Sequence, residues 1–234
     1  MAYSRAQILN IPRVRERNIL RNVYLWMTAG LLLTGVVSFG VAGNPALMRS
    51  LVGTRFLFLA LIIGELALVM YLSARIMHMS ASSATLAFAA YSILNGITLS
   101  VIFLAYTGAE ISLAFFTAAG TFAGMSLYAM TTKRDLSGFG HYLIMGLWGI
   151  IIASVVNMFL RSEGLYYMIS YIGVLVFIGL TAYDTQTIKR WNEQFGSSIS
   201  EDQYVKLSIM GALKLYLDFI NIFLFMLRIF SRRN

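Results

Sequence analysis

The sequence predicts an all-α membrane protein of seven transmembrane helices, and three observations carry that prediction. The chain is 59% hydrophobic and only 12% charged, against about 25% charged residues in a soluble domain. That deficit leaves too few charges for a solvated surface. Apolar stretches near the roughly 20 residues needed to cross a bilayer recur seven times. The joins between them are short and rich in turn residues, such as Gly43-Asn44-Pro45, Thr107-Gly108 and Ser162-Glu163-Gly164.

Taken in order, the expected spans are residues 22–43, 56–77, 83–106, 111–131, 141–160, 164–188 and about 202–230. A basic arm, 1–21, precedes them and a short basic tail, 231–234, follows. The arm has no apolar core near its start, so the first apolar segment is expected to be a retained helix and not a cleaved leader. The longest join runs from Lys189 to Ser200 and ends in Ser200-Glu201-Asp202-Gln203. That is a capping-box pattern and marks the start of the seventh helix.

The net charge is +8. Loop arginines that orient the chain explain it better than nucleic-acid binding. With the amino terminus inside, that side holds Arg5, Arg13, Arg15, Arg17, Arg21, Lys133, Arg134, Lys189 and Arg190, and the other holds Arg49, Arg55 and Arg161. The rule therefore places the amino terminus in the cytoplasm. Arg232 and Arg233 in the tail pull mildly the other way and leave the side of the carboxyl terminus open.

There is no cysteine. Disulfides, thiolate nucleophiles and cysteine metal sites are excluded, and His78 and His141 alone cannot make a zinc site. Ser100 and Ser126 lie in apolar spans, where hydroxyls bond backbone or help helices pack. No histidine is placed by motif as a base, so an enzyme is not expected, nor a cofactor. A retinal receptor is also disfavoured: the third and fourth spans hold no internal carboxylate to serve as counter-ion.

The seventh span is the unusual one. Lys214, Asp218, Asn221, Phe225 and Arg228 follow one another at intervals of four, three, four and three, so they share one stripe. An ionisable group at mid-membrane costs at least about 2.5–3.5 kcal/mol. Three of them cannot face lipid, so this helix is expected inside the bundle. Lys214 and Asp218 are one turn apart and could neutralise each other.

Spacing also suggests pairs between helices. Glu65 lies ten residues before Arg75, and Arg228 ten after Asp218. Antiparallel second and seventh helices would bring both opposite-charge pairs level at once, about 15 Å apart. Asp184, near the end of the sixth span, can meet Asp218 there with Arg75 nearby. Two carboxylates in contact do not readily both ionise and titrate as a unit. The pair is thus a candidate pH sensor and, once ionised, a hard oxygen site for calcium. Two carboxylates offer at most about four of the six to eight oxygens calcium takes, so the site would be weak, which suits passage.

The string Gly179-Leu180-Thr181-Ala182-Tyr183-Asp184-Thr185-Gln186-Thr187, followed by Leu215-Tyr216-Leu217-Asp218-Phe219-Ile220-Asn221-Ile222-Phe223, resembles the signature of the Bax inhibitor-1 (transmembrane Bax inhibitor motif) family, with the compactness of a bacterial member. The resemblance covers length, basic arm, seven spans and both motifs in order. It implies two three-helix layers around a central last helix, in a bacterial inner (plasma) membrane, and a pH-sensitive passive calcium leak. It implies Asp184 and Asp218 as the paired sensor and calcium-facing groups, Arg75 as their latch, and Glu65 with Arg228 as an outer pair. Lys214 and Asn221 would modulate the sensor. As an alternative, the resemblance allows a non-transporting regulator that acts on a membrane protease or a stress response, with the basic arm as a contact for a membrane-protein partner.

Overall fold

The computed structural model describes residues 18–195 and 199–231. The arginines expected in the arm at positions 5, 13, 15 and 17, and those of the tail at 232 and 233, lie outside the described residues. Within them the chain forms α1 (Ile19–Ala42), α2 (Pro45–Gly53), α3 (Arg55–Arg75) with a 3-10 turn Ile76–His78, α4 (Ala81–Leu99), α5 (Ile102–Ala105), α6 (Gly108–Thr131), α7 (Phe139–Leu160), α8 (Glu163–Phe195) and α9 (Glu201–Phe230). No strand occurs among the described residues. Seven segments are long and apolar enough to cross a membrane: Ile19–Ala42, Phe56–His78, Ala81–Ala105, Gly108–Thr131, Phe139–Leu160, Glu163–Phe195 and Glu201–Phe230.

Local chemistry sets the boundaries. Asn18 accepts from the Arg21 N–H, which starts α1 inside what the sequence suggested was arm. Thr107 and Glu110 close a capping box on α6, and Ser200 and Gln203 close the expected one on α9. Three further features differ from expectation. Asn44 caps a short helix, α2, with Pro45 at its first position, where a plain join was expected. The third span breaks at Ser100, whose hydroxyl turns back to the Ile97 carbonyl at 2.7 Å, and restarts as α5. Helix α8 continues past the apolar segment to Phe195, because Lys189, Arg190, Glu193 and Gln194 are good helix formers that need no membrane.

The spans sort into two triplets. Helix α4 packs against α1 and α3, and α8 packs against α6 and α7. Helix α9 runs between them and packs against α1, α4, α6 and α8. In its most apolar window 72% of residues are buried, against 39% for the next helix and 6% for α3 and α7. The last helix is therefore the core, as its polar stripe predicted. Helices α3 and α7 are the lipid-facing flanks, with exposed Phe56, Ile63, Met70, Trp148, Ile152 and Phe159.

Aromatic side chains fill the space around α9. Phe219 meets Phe115 and Phe122 edge-on at 5.7 Å, and Tyr216 lies between Phe88 and Tyr91 at 5.9 and 5.7 Å. Close approach elsewhere needs glycine. A Cβ on Gly96 of α4 would stand 2.7 Å from the Thr34 backbone oxygen and 2.9 Å from Val37 Cβ of α1. Backbone cannot yield cheaply there. Gly96→Ala should therefore cost about 1–3 kcal/mol and lower the unfolding temperature in detergent. Gly64→Ala, with nothing within 4 Å of the added methyl, should leave it unchanged. Equal behaviour of the two variants would contradict this packing.

Candidate functional site

Three ionisable groups of α8 and α9 come together where the two helices pack. Lys214 Nζ donates to Asp184 Oδ1 at 2.9 Å, a salt bridge in which the aspartate is nearly sealed and the lysine side chain is 40% exposed. Asp218, one turn beyond Lys214, is buried, and its Oδ2 has no hydrogen-bond partner among the described residues. It lies within electrostatic reach of both Asp184 and Lys214. The three groups carry one net negative charge with both carboxylates ionised and none with a single proton between them.

The lysine thus bridges to α8 and not to Asp218 on its own helix. Helical side chains lean toward the amino terminus. A lysine four residues before an acid therefore leans away from it, which is the weaker order for such a pair. Thr185 is buried, with its hydroxyl 3.4 Å from Tyr24 OH of α1 and 3.5 Å from Ser126 Oγ of α6. These hydroxyls tie α1, α6 and α8 together next to the acid. Sequence reading treated Ser126 as packing and did not single out Tyr24 or Thr185.

Arg75 stands elsewhere. It is exposed at the end of α3 and makes no ion pair or hydrogen bond among the described residues. The adjoining Met77 carbonyl accepts from Lys206 Nζ at 3.2 Å, and Lys206 also pairs with Asp202 at 2.7 Å. That fixes the end of α3 level with Lys206. Asp218 lies twelve residues further along α9, about 18 Å of helix. The register expected from the sequence, with Arg75 level with Asp218, is corrected by roughly three turns.

The same shift separates Glu65 from Arg228. Glu65 accepts from Asn95 Nδ2 and, at 2.8 Å, from Thr98 Oγ1, both on α4. The Asn95 carbonyl oxygen accepts from Tyr216 OH at 3.0 Å, and Thr34 Oγ1 lies 2.6 Å from the same phenol. A buried relay therefore joins Glu65 to the central helix through Asn95 and Tyr216, near the level of Asp218. Helix α4 lies between α3 and α9, so the acid meets amide and hydroxyl groups and not arginine. Arg228 sits 5.6 Å from the Tyr166 ring centroid and 5.3 Å from that of Phe225. A lone asparagine in an apolar span was the available signal for Asn95. Asn221 donates to the Leu217 carbonyl of its own helix at 2.8 Å and does not reach the aspartates.

The described residues bring no three His, Asp or Glu side chains together as a metal site, so the two aspartates remain an incomplete oxygen set for calcium. His78 and His141 are exposed at helix ends.

Between α6 and α7, outside the spans, Asp135 accepts from the Ser137 N–H at 2.8 Å and pairs with Arg190. These donors hold its carboxyl below the usual carboxylate range. A depressed folded-state value contributes stability that is present above the unfolded value of about 3.9 and lost as pH falls through the folded one. Titration over roughly pH 6 to 8 should leave amide-exchange protection of residues 132–138 unchanged, with loosening only in strong acid. Loss of protection within the neutral range would contradict the assignment.

Comparison with known proteins places these features in a family. Residues 16–234 match the model described as "Inhibitor of apoptosis-promoting Bax1". The chain is 50% identical to the inner membrane protein YbhL of Escherichia coli over 232 residues, covering 99% of each chain. It is 43% identical to an uncharacterised protein of Borreliella burgdorferi, over 97% of this chain and 99% of that one. It is 42% identical to one of Deinococcus radiodurans, over 93% and 92%.

Proposed function

Because the chain belongs to the family of inhibitors of apoptosis-promoting Bax1, we propose that it is a pH-sensitive passive calcium leak channel, gated by protonation of the Asp184–Asp218 pair. One observation carries the reading. The buried Asp218 carboxylate has an oxygen with no donor among the described residues, within reach of the Lys214–Asp184 ion pair. One proton more or less changes the net charge of a cluster held at the contact of two spans. A two-state helix contact biased by local charge is the ordinary form of such a switch. The burial of Asp218 supports a closed state, with Lys214 in the role that the resemblance gave to Arg75.

Calcium passing this point would meet Asp184 already engaged by an ammonium group, and would have to displace it to use both carboxylates. Such a site binds weakly, as conduction needs. The relative from E. coli is named an inner membrane protein. The same location is proposed here, with the amino terminus cytoplasmic by its basic residues. No covalent chemistry and no cofactor are invoked.

The test is calcium entry into liposomes holding the purified protein, followed by a trapped indicator over roughly pH 6 to 8. Flux above that of empty liposomes, changing reversibly with pH, is the expected result. An inert protein in this assay, recovered from native membranes with a membrane-protein partner, would replace the leak with the regulator reading.

A further inference from the structure

A cavity lies at the opposite end of α9 from its capping box. It measures about 260 Å³ and is lined by Ser154, Asn157 and Met158 of α7, Tyr166 and Ile169 of α8, and Arg228 of α9. The guanidinium is the single charge among these residues. It lies over the rings of Tyr166 and Phe225, and Phe225 is itself held against Gly173, where an added Cβ would stand 2.6 Å from the ring. The cation is therefore fixed in place by packing. No carboxylate among the described residues comes within ion-pair distance of it.

A guanidinium held over a cavity at the end of a span, with no carboxylate beside it among the described residues, is complementary to an anionic group from outside. The depth suits a headgroup: Arg228 is in the last turn of α9, and Asn157 is in the last turn of α7. The mouth suits a lipid. Ser154 and Met158 are exposed on α7, and Val155 and Phe159 beside them are exposed apolar side chains on a lipid-facing flank. A planar guanidinium takes two phosphate oxygens at once, and Ser154 and Asn157 add polar groups beside it.

We propose that this cavity is a phospholipid site, in which Arg228 holds the phosphodiester and the acyl chains run along the exposed face of α7. The site is separate from the aspartate cluster, and its test does not depend on calcium transport.

The measurement is native mass spectrometry of the full chain in detergent, titrated with phosphatidylglycerol. Wild type should retain one lipid. Arg228→Gln should weaken retention by about tenfold, the worth of one charge-assisted contact, and Arg228→Lys should recover part of it. Ser154→Phe, which fills the cavity without touching a charge, should lose retention as well, whereas Arg161→Gln should not. Inorganic phosphate at equal concentration should fail to compete. Undiminished retention by Arg228→Gln and Ser154→Phe overturns the site. Displacement by inorganic phosphate overturns the lipid assignment.

Discussion

Asp218→Asn should give a calcium flux that no longer varies with pH and stays at the value wild type shows at the acid end of the range. Asparagine has the size of a protonated aspartate and cannot ionise, so it holds the cluster in its neutral state. The side chain is buried with an unpartnered oxygen, so the substitution removes a charge without removing a salt bridge, and the fold should tolerate it. Asp184→Asn should also flatten the response, by another route. It releases Lys214 from its 2.9 Å bond, and the ammonium then neutralises Asp218, the remaining acid one turn away. Liposome flux and unfolding temperature, measured on both variants, separate loss of sensing from loss of fold. Wild-type pH dependence in both variants sinks the sensor.

Lys214→Met should destabilise the protein and move the pH response upward. The lysine is the counter-charge to a nearly sealed carboxylate. Breaking a fully buried pair costs about 3–5 kcal/mol; with the lysine side chain 40% exposed, about 1–3 kcal/mol is expected. Without the ammonium, a proton becomes the available counter-charge, and the pair keeps it to higher pH. Lys214→Arg should preserve the charge and most of the response. Combining Lys214→Met with Asp184→Asn should cost less than the sum of the two, because each removes the other's unpaired partner. Additive losses, or a midpoint that falls, would place the lysine outside the sensor.

These outcomes turn on a partner that the sequence left open. Lys214 and Asp218 are written one turn apart on one helix, and the spacing alone admits a local pair. The direction in which helical side chains lean, together with the closeness of α8, sends the lysine to Asp184. Glu65 and Arg75 show the same limit. Their ten-residue spacing matches that of Asp218 and Arg228, but matching intervals leave the register free to slide. The bond from Lys206 to the Met77 carbonyl sets it about three turns away from the expected alignment. With α4 between α3 and α9, Glu65 addresses Asn95 and Thr98 instead of an arginine.

The seven spans, the cap of α9 at Ser200, the central place of that helix and the two buried acids were legible in the residues alone. Each is a property of one helix: its length, its cap, or a stripe of charge that lipid will not accept. Which groups meet those acids, where Arg75 and Arg228 come to rest, and the relay of Thr34, Asn95 and Tyr216 emerge from packing between helices. Those facts depend on rotation and sliding between helices, which are set by close contacts such as Gly96 on the Thr34 backbone. The apolar pattern of any single helix is nearly blind to that sliding, because a shift along the axis keeps every apolar face buried.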